Sequence, residues 1–291
     1  MTLGGRRARW GGLAFVAPFL AFYTVLLIYP LFNGIALSFH RADLFGGEKW
    51  IGLGNYQRLL GDPIFHQSLI NTFKLALIIV PTLTILALLL ALALNKPTRS
   101  AAWFRGLFFS SSVLSVTIVT LIWRFILTPD AGLMAEAMEA MGREPIPWLS
   151  DPDLTIPALA ITTIWWSIGL PMMLFLAGLQ QIPEDMYEAA ALDRASKWTT
   201  FWKVTLPSLK RTTILVIMLQ TAAQLQIFGQ AQLLTAGGPS GASRPVVLYI
   251  YEVSFGRWEL GYAAALAEML FLLIIAVTLV QYFAVNRARD D

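Results

Sequence analysis

Five glutamines, Gln220, Gln224, Gln226, Gln230 and Gln232, crowd one otherwise apolar stretch of the chain. An amide donates and accepts hydrogen bonds, and leaving one bare in hydrocarbon costs on the order of a few kcal/mol, so these side chains must face protein or a wet cavity. At helical spacing Gln220, Gln224 and Ile227 share one face with Ala223 beside them, while Gln226 and Gln230 form a second pair around the cylinder. The chemistry this offers is non-covalent: amides that bond hydroxyl groups, with Trp165, Trp166 and Phe228 as aromatic faces to cover C–H groups. The competing reading is that the glutamines only tie helices together, and the residue pattern leaves both open. Glu268, well inside the last apolar run, is the other polar residue of this kind. Such an acid marks a functional site or bonds a partner helix.

Other chemistries are excluded by residue type. The chain has no cysteine, so it offers no disulfide, thiol nucleophile or cysteine-bound metal. His40 and His66 fall in one predicted loop without metal-ligand spacing. No Ser/His pairing, H-E-x-x-H or pair of aspartates occurs within the apolar runs, so no catalytic, metal or cofactor-binding residue is expected. No G-x-x-x-x-G-K-S/T phosphate loop occurs, so any ATP hydrolysis belongs on another chain.

The elements that must hold these residues are membrane helices. Of the 291 residues 57% are hydrophobic and 13% charged, about half the charged share of a soluble domain. Apolar runs at about 13–39, 69–94, 103–127, 155–179, 209–234 and 261–285 are each long enough to cross a bilayer of about 30 Å. The first is too long for a signal-peptide core and is read as a retained helix. The expected fold class is therefore an all-α integral membrane protein with six transmembrane helices in a single domain, residues 1–291. With both termini cytoplasmic, the inner segments hold Arg6, Arg7, Arg9, Lys96, Arg99, Arg105, Arg194, Lys197, Lys203, Lys210, Arg211, Arg287 and Arg289. The outer side holds fewer, chiefly Arg41, Lys49, Arg58, Arg143, Arg244 and Arg257, which favours this orientation. It also explains the net charge of +3 without nucleic acid. The outer stretch Pro129 to Pro157, rich in Pro, Asp and Glu with Trp148, reads as a connector or a contact for a soluble protein.

Between the fourth and fifth runs lies a polar island at about 180–207. Pro183 suits a first helical position and Glu184 and Asp185 suit a helix N-terminus, so a short helix to about Asp193 is expected. Trp198, Phe201, Trp202 and Thr205 then repeat at helical spacing, and Pro207 predicts a break before the next run. Ala189, Ala190, Ala191 and Ala195 leave a surface of little bulk for close approach by another protein, with Glu188 and Asp193 as anchoring carboxylates.

This block resembles the docking loop of permease subunits in binding-protein-dependent ABC importers, whose pattern is E-A-A, two residues, D-G-A, then F and a closing L-P. Glu188, Ala189, Ala190, Asp193, Ala195, Phe201, Leu206 and Pro207 match. Arg194 stands where the family has glycine, so it must accept an unusual backbone angle or the turn is built differently. Tyr29-Pro30, the Ile51–Tyr56 segment with Asn71-Thr72, the Gly237-Gly238-Pro239 signature and the Gly261–Ala265 run resemble the maltose-F-like and glycerol-phosphate-A-like, carbohydrate-uptake branch.

The resemblance implies a type I ABC importer permease fold with a cytoplasmic coupling helix-turn-helix in a bacterial inner membrane. It assigns ATPase coupling to Glu188, Ala189, Ala190, Asp193 and Ala195. It places the sugar-contacting positions on Gln220, Ala223, Gln224 and Ile227, and through Gly169-Leu170-Pro171-Met172 it adds Ile168, Gly169 and Met172. It also implies a heterodimer with a second permease, two ATPase subunits holding ATP and Mg, and an extracytoplasmic solute-binding protein. An ion-coupled secondary transporter subunit is the alternative, with Glu268 as its only foothold.

Overall fold

The computed structural model describes residues 15–43, 46–129 and 131–290, with side chains to residue 284. Expectations placed on Arg6, Arg7 and Arg9, and on the side chains of Arg287 and Arg289, lie outside the described residues. The described chain is mostly helical. Among the described residues three helices are long and apolar enough to span a membrane: α1 (Phe15–Ser38), α3 (Pro63–Leu94) and the first 25 residues of α14 (Leu260–Asp290). The expected third and fourth crossings are bent pairs. They are α4 (Arg99–Ser111) with α5 (Val116–Leu127) at 96°, and α7 (Pro152–Ser167) with α8 (Gly169–Gln180) at 49°. The run expected as a continuous fifth crossing at 209–234 is instead broken between α11 (Lys210–Gln224) and α12 (Gly229–Leu234).

Short elements fill the connections. A two-stranded antiparallel ribbon pairs β1 (His40–Arg41) with β2 (Lys49–Trp50), and α2 (Gly54–Leu60) follows. In the outer stretch α6 (Leu133–Ala140) is helical, and α7 begins at Pro152 under an Asp151 cap, so the connector ends before Pro157. The polar island forms α9 (Glu184–Leu192) and α10 (residues 197–208), and α13 (Val246–Gly256) precedes the last helix.

Prolines explain two local irregularities. Helix α1 winds as a π-helix over Thr24–Ile28 and α10 does so over Phe201–Thr205. In both, proline follows two residues later, at Pro30 and Pro207. Proline lacks the N–H and its ring crowds the carbonyl four residues back. The wider turn, closed by Tyr29 N–H on Thr24 O and by Leu206 N–H on Phe201 O, relieves that crowding without ending the helix. The break expected before the next run falls at Leu209.

Backbone contacts divide the chain into two compact units. In the unit made of Met1–Asp62 and Ile250–Leu272, the side chain of buried Asn55 donates to the carbonyls of Ser38 (2.8 Å) and His40 (2.9 Å). The first is a carbonyl at the end of α1 that no helical N–H reaches, and the second lies just beyond it in β1. The Ser38 and Tyr56 hydroxyls are 2.7 Å apart. Tyr262 donates to Asp62 at 2.6 Å, and Arg58 lies over the Tyr262 ring while pairing with Glu259 at 2.7 Å. Gly261 is required by close approach, because a β-carbon there would collide with the His40 carbonyl. The two histidines do not share a loop: His40 is in β1 and His66 in α3.

The unit made of Pro63–Tyr249 and Leu273–Asp291 is built around α3. Leu75, Ile79, Leu83, Ala87 and Ala91 recur every four residues and are fully buried, while Leu77, Ile85 and Leu89 face outward. The buried stripe packs with Leu159, Met172, Phe175, Leu176 and Val216 from α7, α8 and α11, and with Leu209 at the start of α11. Thr72, Thr84, Thr162 and Thr163 return their hydroxyls to carbonyls four residues back, which satisfies them within their own helices. The loop after α12 turns through Gly237 (φ 75°) and Gly241 (φ 81°). Asn71 and Thr72 hold it, through bonds to the carbonyls of Gly241 and Arg244 and from Val246 N–H.

Candidate functional site

Two helix breaks meet and satisfy each other. The break between α7 and α8 strands the carbonyls of Trp165 and Trp166, and the bend between α4 and α5 presents serines to them. Ser111 Oγ reaches Trp165 O at 3.3 Å, Ser112 Oγ reaches Trp166 O at 3.1 Å, and Trp166 Nε1 donates back to Leu114 O at 3.0 Å. Ser115 caps α5 by accepting from Ile118 N–H. The helices approach this closely because position 169 has no side chain: a β-carbon there would sit 2.7 Å from both Phe108 O and Ser112 Oγ.

Beside this junction lies a cavity of about 200 Å³ lined by Ser112, Trp166, Ser167, Leu170, Gln220, Ala223 and Gln224. Gln224 Nε2 donates to Gln220 Oε1 at 3.3 Å. That bond orients both amides and leaves the Gln220 NH₂ and the Gln224 oxygen to face other groups. The lining thus offers a donor, an acceptor, two hydroxyls and an indole.

The structure brings Gln220, Ala223 and Gln224 together there, but not the other four expected solute-path residues. Ile227 follows the end of α11 and is buried in the core, as is Met172 at 0% exposure. Gly169 serves the helix approach, and Ile168 lines a separate apolar cleft with Trp123 and Trp165. Gln226 turns outward and bonds Ala222 O, whereas Gln230 is buried. Ser112 and Ser167 were missed by sequence reasoning. The Ser110–Ser112 triplet in an apolar run was the available signal.

The polar island is a helix-turn-helix. Pro183 sits at the N-cap of α9, one position before the expected one, and the helix ends at Leu192 with Asp193 as C-cap. Ala195 N–H bonds Ala190 O at 2.9 Å and Arg194 N–H bonds Ala191 O at 3.0 Å, the paired bonds of a Schellman turn. Such a turn needs a left-handed residue. Arg194 supplies it at φ 53°, so the arginine takes the angle that glycine takes elsewhere. Ser196 caps α10 by accepting from Thr199 N–H, and the Tyr187 and Thr205 hydroxyls, 3.2 Å apart, join the two helices. Glu188, Ala189 and Asp193 are exposed, while Ala190 and Ala195 are half-buried. Leu192, Trp198 and Trp202 are exposed at 86%, 71% and 51%, so the helix-turn-helix also presents apolar surface.

Bent and broken apolar helices beside a polar cavity, with an exposed helix-turn-helix, suit a membrane transport subunit. The backbone resembles the crystal structure of a bacterial alginate ABC transporter in complex with an alginate pentasaccharide-bound periplasmic protein. The TM-score is 0.87 at 19% identity over 99% of this chain and 98% of that one. Residues 68–290 match the binding-protein-dependent transport system inner membrane component family, and the chain belongs to it. It is 32% identical to the trehalose/maltose transport system permease protein MalF of Thermococcus litoralis, over 98% of this chain and 96% of that protein. It is likewise 32% identical to the lactose transport system permease protein LacF of Rhizobium radiobacter, over 96% and 95%. The protein is therefore a multi-pass inner-membrane permease subunit of an ABC importer, and the ion-coupled alternative finds no support.

Proposed function

We propose that this permease carries a sugar or sugar-like solute delivered by an extracytoplasmic binding protein. The single observation that carries the reading is the cavity where Gln220, Gln224, Ser112 and Trp166 converge. Paired amides and hydroxyls suit a polyol, and an indole suits its C–H face. The trehalose/maltose and lactose permeases it resembles bear sugar names. At about 200 Å³ the cavity is smaller than a complete small-molecule pocket, which spans roughly 300–1,000 Å³. This chain accordingly supplies one wall and a second permease, in a heterodimer, the other.

The whole chain, residues 1–291, acts as one permease domain with six crossings and both termini cytoplasmic. The loop at about 180–207 couples it to one of two ATPase subunits, which hold ATP and Mg. Glu188 and Asp193 anchor the contact, and Ala189, Ala190 and Ala195 let the ATPase approach. When the ATPases close, they push the coupling loops together and bias the helices from an inward-facing to an outward-facing arrangement. The test is uptake of a panel of sugars by the reconstituted importer. Removing one neutral hydrogen bond in Gln224→Ala lowers uptake of the cognate sugar by about 2- to 10-fold, with ATP turnover stimulated by the binding protein retained. Unchanged uptake of every sugar in the Gln224→Ala and Trp166→Ala variants would overturn the cavity assignment.

A further inference from the structure

We infer that Glu268 is the point at which this chain hydrogen-bonds the second permease inside the membrane, an inference that rests on the heterodimer proposed above. Glu268 lies eight residues into α14, within the apolar span Leu260–Ala284, or about 12 Å along the helix. Its side chain is half-buried against α1, where Oε1 comes within 3.5 Å of the place a β-carbon would take on Gly34. The glycine lets the carboxylate lie along the neighbouring helix, and glycine offers no side-chain donor in return.

Among the described residues Glu268 makes no hydrogen bond or ion pair. Other polar groups in the same unit have partners: Asp62 accepts from Tyr262, Glu259 is in an ion pair with Arg58, and the Ser38 hydroxyl meets that of Tyr56. The carboxylate also heads an open stripe. Phe271, Leu272 and Ile275 follow at three, four and seven residues and are exposed at 43%, 56% and 39%. Lipid would cover those apolar residues but has no donor to give an acid at that depth, and an unmet polar group there is costly. A helix of the second permease covers the stripe and supplies the donor at once, from a hydroxyl, amide or basic side chain.

The absence of cysteine makes a direct test available. In membranes holding the assembled importer, Phe271→Cys is labelled with a photoactivatable maleimide and irradiated. The expected product is a cross-link to the second permease. In parallel the second permease is recovered on tagged Glu268→Gln and Glu268→Leu chains in detergent. Gln, which still bonds a donor, keeps recovery within about twofold of wild type, and Leu lowers it by about 3- to 15-fold, the span measured for membrane hydrogen bonds. Cross-linking only to lipid, protection of Phe271→Cys by solute instead of by the second permease, or undiminished recovery with Leu would each overturn the inference. If the wild-type chain recovers no second permease, the heterodimer itself fails and this contact with it. If recovery is normal but the cross-link is missing, only the Glu268 contact fails.

Discussion

Replacing Gly169 with alanine would put a β-carbon 2.7 Å from Phe108 O, 2.7 Å from Ser112 Oγ and 2.8 Å from Phe109 Cα. Two of these three neighbours are backbone atoms of α4 and cannot rotate away. Ordinary non-bonded contact begins at about 3.5 Å, so α4 and α8 must separate by roughly 0.8 Å. Overpacking of this kind costs about 1–3 kcal/mol. At about 2–4 °C per kcal/mol for a chain of this size, the melting temperature falls by roughly 2–12 °C. Gly106, on the same helix α4, is the matched control, since a β-carbon there meets nothing within 4 Å. Gly106→Ala gains about 0.5–1 kcal/mol of helix propensity and should hold or raise the melting temperature. Thermal unfolding of the purified complex in one detergent measures both. A Gly169→Ala protein melting at or above wild type, or two alanine variants shifting together, would refute the argument that close helix approach requires this glycine.

Arg194→Gly should stabilise the turn. The left-handed angle costs a side-chain-bearing residue about 1–2 kcal/mol, and glycine loses about 0.5–1 kcal/mol of that gain to chain entropy. The expected outcome is exchange of the Ala195 amide slowed by about 2- to 5-fold, read by hydrogen exchange, with Arg194→Val accelerating it. Asn55→Ala strands two carbonyls, one at the end of α1 and one in β1, and should cost about 1–3 kcal/mol per unmet group. Asn55→Asp should not rescue it, because an ionised carboxylate cannot donate to carbonyls, and thermal unfolding checks both. Glu188→Lys should leave the permease in the membrane at normal level while reducing recovery of the ATPase subunits. Normal ATP turnover stimulated by the binding protein in that variant would contradict the anchoring role.

Residue patterns disclosed most of the helices, because each apolar run is long and the caps are local. Asp193 and the acids of the first turn mark the ends of α9 where the structure has them. The prolines were harder to interpret. A ring that removes a donor predicts a break, but Pro30 and Pro207 follow π turns that the local sequence does not announce. The cavity was half legible. Gln220 and Gln224 stand out because amides are scarce in apolar runs, whereas the helix ends at Gln224 and Ile227 lies beyond it. Gly169 and Met172 were drawn toward the cavity by motif. In the structure glycine is a spacing device and methionine fills the core. Ser112 and Ser167 come into place through a bend and a break, which depend on tertiary packing rather than on periodicity.

The most direct test of the account is solute accumulation in proteoliposomes charged with binding protein and ATP, with and without the ATPase subunits. Accumulation is expected only in vesicles that also contain the ATPases, and it is lost when Mg is chelated. Accumulation driven by an ion gradient in vesicles holding only this chain and its partner permease would contradict it.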